Sequence, residues 1–92
     1  MKKYTVVYDR TATYWMKDDQ YNHMFIKEQE GYFTSLLNNR GYIYLNQICE
    51  YLGVGWKPRS DNPCFVSDEH RRIDLIMLPR DDCEYEIIIQ VV

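Results

Sequence analysis

The stretch RIDLIMLPRDDCEYEIIIQVV, residues 72–92, decides the fold because it contains two alternating segments that flank a turn. In Arg72–Leu78 every second residue from Ile73 onwards is apolar, which is the period of a β-strand with one buried face. Glu84–Val92 alternates in the same way, and Pro79–Asp82 supplies residues that turns prefer. We therefore predict an antiparallel β-meander in this part of the chain.

The later half of each predicted strand is apolar on both faces, in Leu75–Leu78 and in Ile87–Ile89. Part of the second face must then be covered by protein, either by the N-terminal segment or by another subunit. If Tyr85–Val92 lies at the edge of the sheet, it can pair with a strand of a partner or of a second copy.

Two further segments are predicted to be strands. Lys3–Tyr8 alternates apolar with more polar residues, and Cys64–Val66 is predicted to begin another strand. Tyr14–Met16 follows a run of turn-forming residues, so we expect a loop there that inserts an aromatic anchor into the core.

A long helix is predicted from Tyr21 to about Asn38, with Asp18 and Asp19 as capping residues and Gly41 as its end. Its predicted buried face consists of the apolar residues at helical spacing: Tyr21, Met24, Phe25, Tyr32, Phe33, Leu36 and Leu37. The opposite side, predicted to face solvent, carries Lys27, Glu28, Glu30 and Asn38.

A shorter helix is predicted over Leu45–Leu52, because Leu45, Ile48, Cys49 and Leu52 share one helical face and Gly53 follows at once. For residues 1–92 we predict a single α+β domain. Two helices pack on one face of a three- or four-stranded, mainly antiparallel sheet that ends in the β-meander.

Composition restricts the class of protein. The chain has 92 residues and a net charge of −3, so it suits one small core and has no general attraction to phosphate backbones. The three cysteines are widely spaced, which is typical of reduced thiols rather than of a disulfide framework. No apolar run approaches the ~20 residues that cross a bilayer, and the start of the chain lacks a signal-peptide pattern. We expect a cytoplasmic protein without a membrane partner.

No residue pattern indicates catalysis. His23, His70, Cys64 and Cys83 lack the short spacing of a structural zinc site, and the acidic pairs occur where helices start or chains turn. The glycines around Val54 lack the third glycine and the flanking strand and long helix of a nucleotide-binding turn. We expect no catalytic residue, no cofactor and no metal ion, and therefore a protein that is not an enzyme.

Aromatic residues around the second helix form the first candidate site. The chain contains nine tyrosines, and Tyr and Trp side chains give protein interfaces large contact areas with few rotatable bonds. Tyr42, Tyr44, Tyr51 and Trp56 are the candidate protein-interaction residues, provided that they do not simply close the core. A protein partner or self-association is the interaction that this set predicts.

Basic residues in two loops form an alternative site. Two helices followed by a β-hairpin is the element order of a winged-helix DNA-binding protein, and Lys57, Arg59, Arg71 and Arg72 would then contact phosphates. Acidic residues in the same loops, Asp61, Asp68 and Glu69, weaken this interpretation, and the second helix has few basic side chains for a recognition helix. Nucleic acid is a partner that we consider but do not favour.

The run Gly41–Gly53, followed by Gly55–Trp56 and Ile73–Asp74, combines a glycine, an aromatic and aliphatic pair, Leu-Asn, Leu-Gly and Gly-Trp before a strand. It resembles a family of small uncharacterised domains encoded by phages and conjugative elements of Gram-positive bacteria. The resemblance implies a mobile-element origin and adds no catalytic residue. Together with the aromatic residues, it favours a non-enzymatic accessory or adaptor protein that acts by protein association.

Overall fold

The meander and the α+β class are confirmed in a computed structural model that describes residues 3–55, 63–67 and 71–92. The described elements are β1 (Lys3–Tyr8), α1 (Asp19–Arg40), β2 (Tyr42–Tyr44), α2 (Leu45–Leu52), β3 (Cys64–Val66), β4 (Ile73–Pro79) and β5 (Tyr85–Val91). Strands β1, β5 and β4 form an antiparallel sheet in that order, and β2 pairs antiparallel with β3 in a second, two-stranded sheet.

Strand β5 is the centre of the three-stranded sheet, so the edge position that would let it pair with a partner strand is not what the structure shows. Its residues pair with β1 on one side and with β4 on the other, for example Ile87 with Val6 and with Met77. One face of β5 is buried at Tyr85, Ile87, Ile89 and Val91 and forms the centre of the core.

The second face of this sheet is left partly uncovered by the described residues. The N-terminal segment was one predicted cover, but β1 extends the sheet sideways instead of lying over it. Val7, Ile76 and Leu78 remain exposed on that face.

The short strand β2 was not predicted, since three residues give no usable period. Gly41 ends α1 in the left-handed conformation, with φ of 84° and its N–H donating to Leu37 O at 2.7 Å. The chain therefore reverses at once, and β2 pairs with β3 so that Ile43 lies opposite Phe65, both buried.

Helix α1 begins where the acidic residues predict. The Asp18 carboxylate accepts a hydrogen bond from the Tyr21 N–H at 3.1 Å, which satisfies one free donor of the first turn. The helix runs without interruption through Gly31.

The buried face of α1 differs from the predicted one. Asn22, Ile26, Phe33 and Leu37 are buried, whereas Tyr21, Tyr32 and Met24, the last 58% exposed, face outwards. The physical reason is a polar contact that an apolar pattern does not reveal. The Asn22 amide accepts from Met16 N–H at 3.1 Å and donates to Met16 O at 2.6 Å. This pair of bonds satisfies the Asn22 amide, so a polar residue can lie on the buried face of α1.

The same loop carries the predicted aromatic anchor. Trp15 packs against the core and donates its indole N–H to the carbonyl of Cys83, in the turn before β5. Trp15 and Asn22 together tie the loop between β1 and α1 to the sheet and to the helix.

A ladder of side-chain hydrogen bonds joins α1 to the outer edge of β4. The Glu30 carboxylate accepts from Leu75 N–H at 2.8 Å, and the Thr34 hydroxyl accepts from Ile73 N–H at 3.0 Å. Asn38 exchanges two bonds with the backbone of Arg71, at 2.9 Å and 3.1 Å. The sequence places Glu30 and Asn38 on the side of α1 opposite its apolar face. Glu30 is half-buried, whereas Asn38 is exposed as predicted and still bonds to backbone. Glu30, Thr34 and Asn38 make hydrogen bonds that a neighbouring strand would otherwise make with this edge.

Four helical residues rise about 6.0 Å, and two strand residues rise about 6.6 to 6.8 Å. The spacing of polar residues four apart on the helix therefore nearly equals the spacing of alternate residues on the strand, which allows three successive contacts. This match explains how a helix can satisfy the edge of β4 with side chains alone.

We expect Thr34→Val to lower the free energy of unfolding by about 1 to 3 kcal/mol, because the buried Ile73 N–H loses its acceptor. Urea unfolding followed by circular dichroism measures the change. The matched control is Ser35→Ala, on the exposed side of the same turn, which we expect to change stability by less than about 0.5 kcal/mol. Equal stability of the two variants would contradict the ladder.

Candidate protein-binding surface

Two of the candidate tyrosines lie on β2. The strand buries Ile43 and turns Tyr42 and Tyr44 to the opposite face, because side chains alternate along a strand. Their rings are 5.8 Å apart between centroids and meet edge to face at 73°. This is the arrangement that the quadrupoles of two aromatic rings prefer.

The third candidate, Tyr51, lies on α2 beside Tyr32 of α1. The ring centroids are 5.3 Å apart at 74°. A hydrogen bond with the Tyr32 hydroxyl raises the pKa of Tyr51. All four tyrosines, Tyr32, Tyr42, Tyr44 and Tyr51, have between 40% and 44% of their surface exposed.

Arg40 lies against the Tyr42 and Tyr44 pair. Its guanidinium carbon lies 5.1 Å from the centroid of the Tyr42 ring, a cation–π distance, and Nη2 donates to Gln47 Oε1 at 3.0 Å. The charge of Arg40 also acts on Tyr51, where it opposes the rise in pKa. We call Tyr32, Tyr42, Tyr44, Tyr51 and Arg40 the tyrosine surface.

The backbone beneath the tyrosine surface is held in place by packing and hydrogen bonds. The inner face of α2 is buried at Leu45, Ile48, Cys49 and Leu52, as its spacing predicts. At the start of this helix, Gln47 Oε1 accepts from Tyr44 N–H at 3.3 Å, and Leu45 N–H donates to Pro63 O at 2.8 Å. The tyrosines thus project from backbone that is packed and hydrogen bonded, which limits the conformational entropy that binding would remove.

Sequence reasoning missed two members of this surface. Tyr32 had been assigned to the buried face of α1, and Arg40 had no assigned role. The position of Arg40 directly before Gly41 could have indicated its role. Where the chain reverses from a helix into a short strand, the last helical side chain lies beside that strand.

The basic residues of the alternative site do not form one patch among the described residues. Trp56, Lys57 and Arg59 lie outside the described residues. Arg72 Nε lies 2.7 Å from Asp74 Oδ1, so its charge is already paired, and the backbone of Arg71 is held by Asn38.

Across residues 3–55, 63–67 and 71–92, no three His, Cys, Asp or Glu side chains lie close enough together to hold a metal ion. A shallow cleft between α1 and β4 is lined by His23, Lys27 and Glu30 with apolar neighbours, but its Glu30 carboxylate already accepts the Leu75 N–H. Among the described helices, none is long and apolar enough to span a membrane.

The three cysteines are free and differ in environment. Burial raises the pKa of Cys49 to about 11. Burial and, after it, a hydrogen bond with Asp82 raise the pKa of Cys83, whereas Cys64 is exposed. Since the thiolate is the reactive form, the order of reactivity follows from these differences.

We expect a thiol reagent at pH 8 to modify Cys64 first, Cys83 more slowly and Cys49 only after unfolding. Mass spectrometry of labelled peptides, with and without urea, measures this order. Because the folded pKa of Cys49 lies above its ordinary value of 9.0, its contribution to stability is complete below pH 9 and falls as the pH rises towards 11. Rapid native labelling of Cys49 would contradict its burial.

Comparison with known proteins gives a family but no activity. Residues 1–86 match a family described as a family of unknown function, DUF6353. No curated protein and no solved structure matches the chain significantly. The expectation of a small uncharacterised domain is confirmed at this level. Since the match covers far more than half of its length, the chain belongs to the DUF6353 family of unknown function.

Proposed function

We propose that the chain acts by binding another protein through the tyrosine surface, as a non-enzymatic accessory or adaptor protein. The observation that carries this proposal is the exposure of two edge-to-face tyrosine pairs, one of them with Arg40 over a ring, on packed backbone. Tyr and Arg are two of the residue types that dominate the binding energy of protein interfaces. Buried tyrosines could not contact a partner and would not support this proposal.

The non-enzymatic part of the proposal is supported by what the described titratable groups do. Glu30 accepts a backbone hydrogen bond, Asp18 caps α1 and Glu84 is paired with Arg10 at 3.2 Å. Each of these carboxylates has a structural contact. In the cleft lined by His23, Lys27 and Glu30, the Glu30 carboxylate is the one that already accepts the Leu75 N–H.

The biological setting that we propose is a mobile genetic element, with the protein in the cytoplasm. Its support is the resemblance of Gly41–Gly53 to domains of phages and conjugative elements, together with three free cysteines.

DNA binding is the weaker alternative. Helix α2 would be the recognition helix, but the sequence LNQICEYL has no basic residue and only eight residues. Salt-sensitive binding to a DNA duplex that Arg71→Ala with Arg72→Ala weakens would favour this alternative over protein binding.

To test the proposal, we expect Tyr42→Ala and Tyr51→Ala each to weaken binding to the partner by at least about tenfold, because each removes a ring from the centre of the surface. Tagged wild-type protein first captures the partner from cells that carry the element. Titration calorimetry with the purified partner then gives the dissociation constants.

Met24→Ala is the matched control. Met24 is more exposed than the tyrosines and lies two turns of α1 away from Tyr32, so we expect its loss to leave binding unchanged. Equal affinities of all variants, with unchanged circular dichroism, would exclude the tyrosine surface as the binding site.

A further inference from the structure

The three-stranded sheet has two edges, and one of them is closed. Strand β4 presents its outward N–H groups to α1, where Thr34 and Glu30 accept those of Ile73 and Leu75. Pro79 at the end of the strand has no N–H to donate. Three of the four outward residues of β4, Ile73, Leu75 and Pro79, therefore have no free N–H to offer a further strand.

Strand β1 is the other edge, and the hydrogen-bond register shows which of its residues point outwards. Arg72 and Val92 exchange two backbone hydrogen bonds, at 2.8 Å and 3.3 Å, so the even-numbered residues of β4 and β5 face each other. The odd-numbered residues of β5 then face β1, where they pair with Tyr4, Val6 and Tyr8. The outward backbone groups of β1 belong to Lys3, Thr5 and Val7.

This edge is open in the described structure. Lys3, Thr5 and Val7 are exposed, Val7 by 41%. Within residues 3–55, 63–67 and 71–92, no backbone group outside β5 bonds to these three residues. An open edge with its donors and acceptors in a row is the surface that a further β-strand recognises.

We infer that a second copy of this chain pairs with β1, antiparallel and centred on Thr5, so that two sheets join into one of six strands. In this register Thr5 lies opposite Thr5 of the partner subunit, and Lys3 lies opposite Val7 of the partner subunit. All outward backbone groups of both strands are then satisfied.

Charge complementarity favours a second copy in this register. Val7 lies beside Glu86 of β5 on the same face of the sheet. The Lys3 side chain therefore extends past Val7 of the partner subunit towards the carboxylate of Glu86 of the partner subunit. The two-fold axis of the dimer generates the same contact a second time. Arg80 already lies 3.9 Å from Glu86, so that carboxylate would then be shared by two cations.

A register shifted by two residues, which pairs Lys3 with Asp9, is disfavoured. Asp9 O already accepts the Ala12 N–H at 2.9 Å, and its carboxylate accepts the Thr11 N–H at 2.9 Å. The chain has turned away from the strand direction at this point, so Asp9 offers no free edge.

Sedimentation velocity on the full chain, over a wide concentration range, tests the pairing. We expect the mass to rise from that of one 11.2 kDa chain towards twice that value. Thr5→Pro should weaken the dimer at least about tenfold, because proline removes an outward N–H while leaving the bonds from β1 to β5 in place. Met77→Pro is the matched control on the closed edge and should leave the dimer intact.

Lys3→Glu provides a second measurement that leaves the backbone unaltered. It should weaken the dimer by placing like charges close together, and Lys3→Glu with Glu86→Lys should restore it. A wild-type chain that stays monomeric at every concentration would overturn the inference. So would a dimer that Met77→Pro or Tyr42→Ala dissociates while Thr5→Pro does not, since the interface would then lie elsewhere. Loss of the tyrosine-dependent partner alone bears on the proposed function and leaves this pairing standing.

Discussion

The contact between α1 and the edge of β4 is the interaction on which the rest of the structure depends. Glu30, Thr34 and Asn38 occupy one line along the helix and meet alternate residues of the strand. They orient α1 relative to the sheet, and the Asn22 contact with Met16 fixes its rotation at the other end. With the helix held at both ends, Phe33 and Leu37 enter the core while Tyr32 and Arg40 are turned outwards. The tyrosine surface is therefore a consequence of how the helix is attached.

Much of the fold could be predicted from apolar periodicity. The short helix α2 has a single apolar face, and every second residue of β4 and β5 is apolar and buried. The type and approximate bounds of these three elements therefore follow from the sequence. The orientation of α1 could not be predicted in this way. Its decisive residues are polar, and a polar residue that binds backbone has the same appearance in a sequence as one that faces water. For this reason the sequence does not reveal that Glu30 and Asn38 bond to the backbone beside α1.

The candidate site shows the same division. Tyr42, Tyr44 and Tyr51 were singled out because aromatic residues flank the predicted α2, and the fold places each of them partly in solvent. Tyr51 forms its edge-to-face pair with Tyr32, and Tyr42 carries the guanidinium of Arg40 over its ring; both partners come from α1, a different helix. Local periodicity contains no information about which distant residues complete a surface, since that depends on packing between elements.

The central position of β5 has a consequence for how the chain folds. Lys3 pairs with Gln90, so the sheet joins segments that are separated by most of the sequence. Contacts of this kind require a large loss of chain entropy before they contribute to stability, and they slow folding. During synthesis β1 emerges from the ribosome before the other described strands and β5 emerges after them, so β1 stays unpaired until β5 has been made. Assembly of this sheet therefore follows the synthesis of all three of its strands.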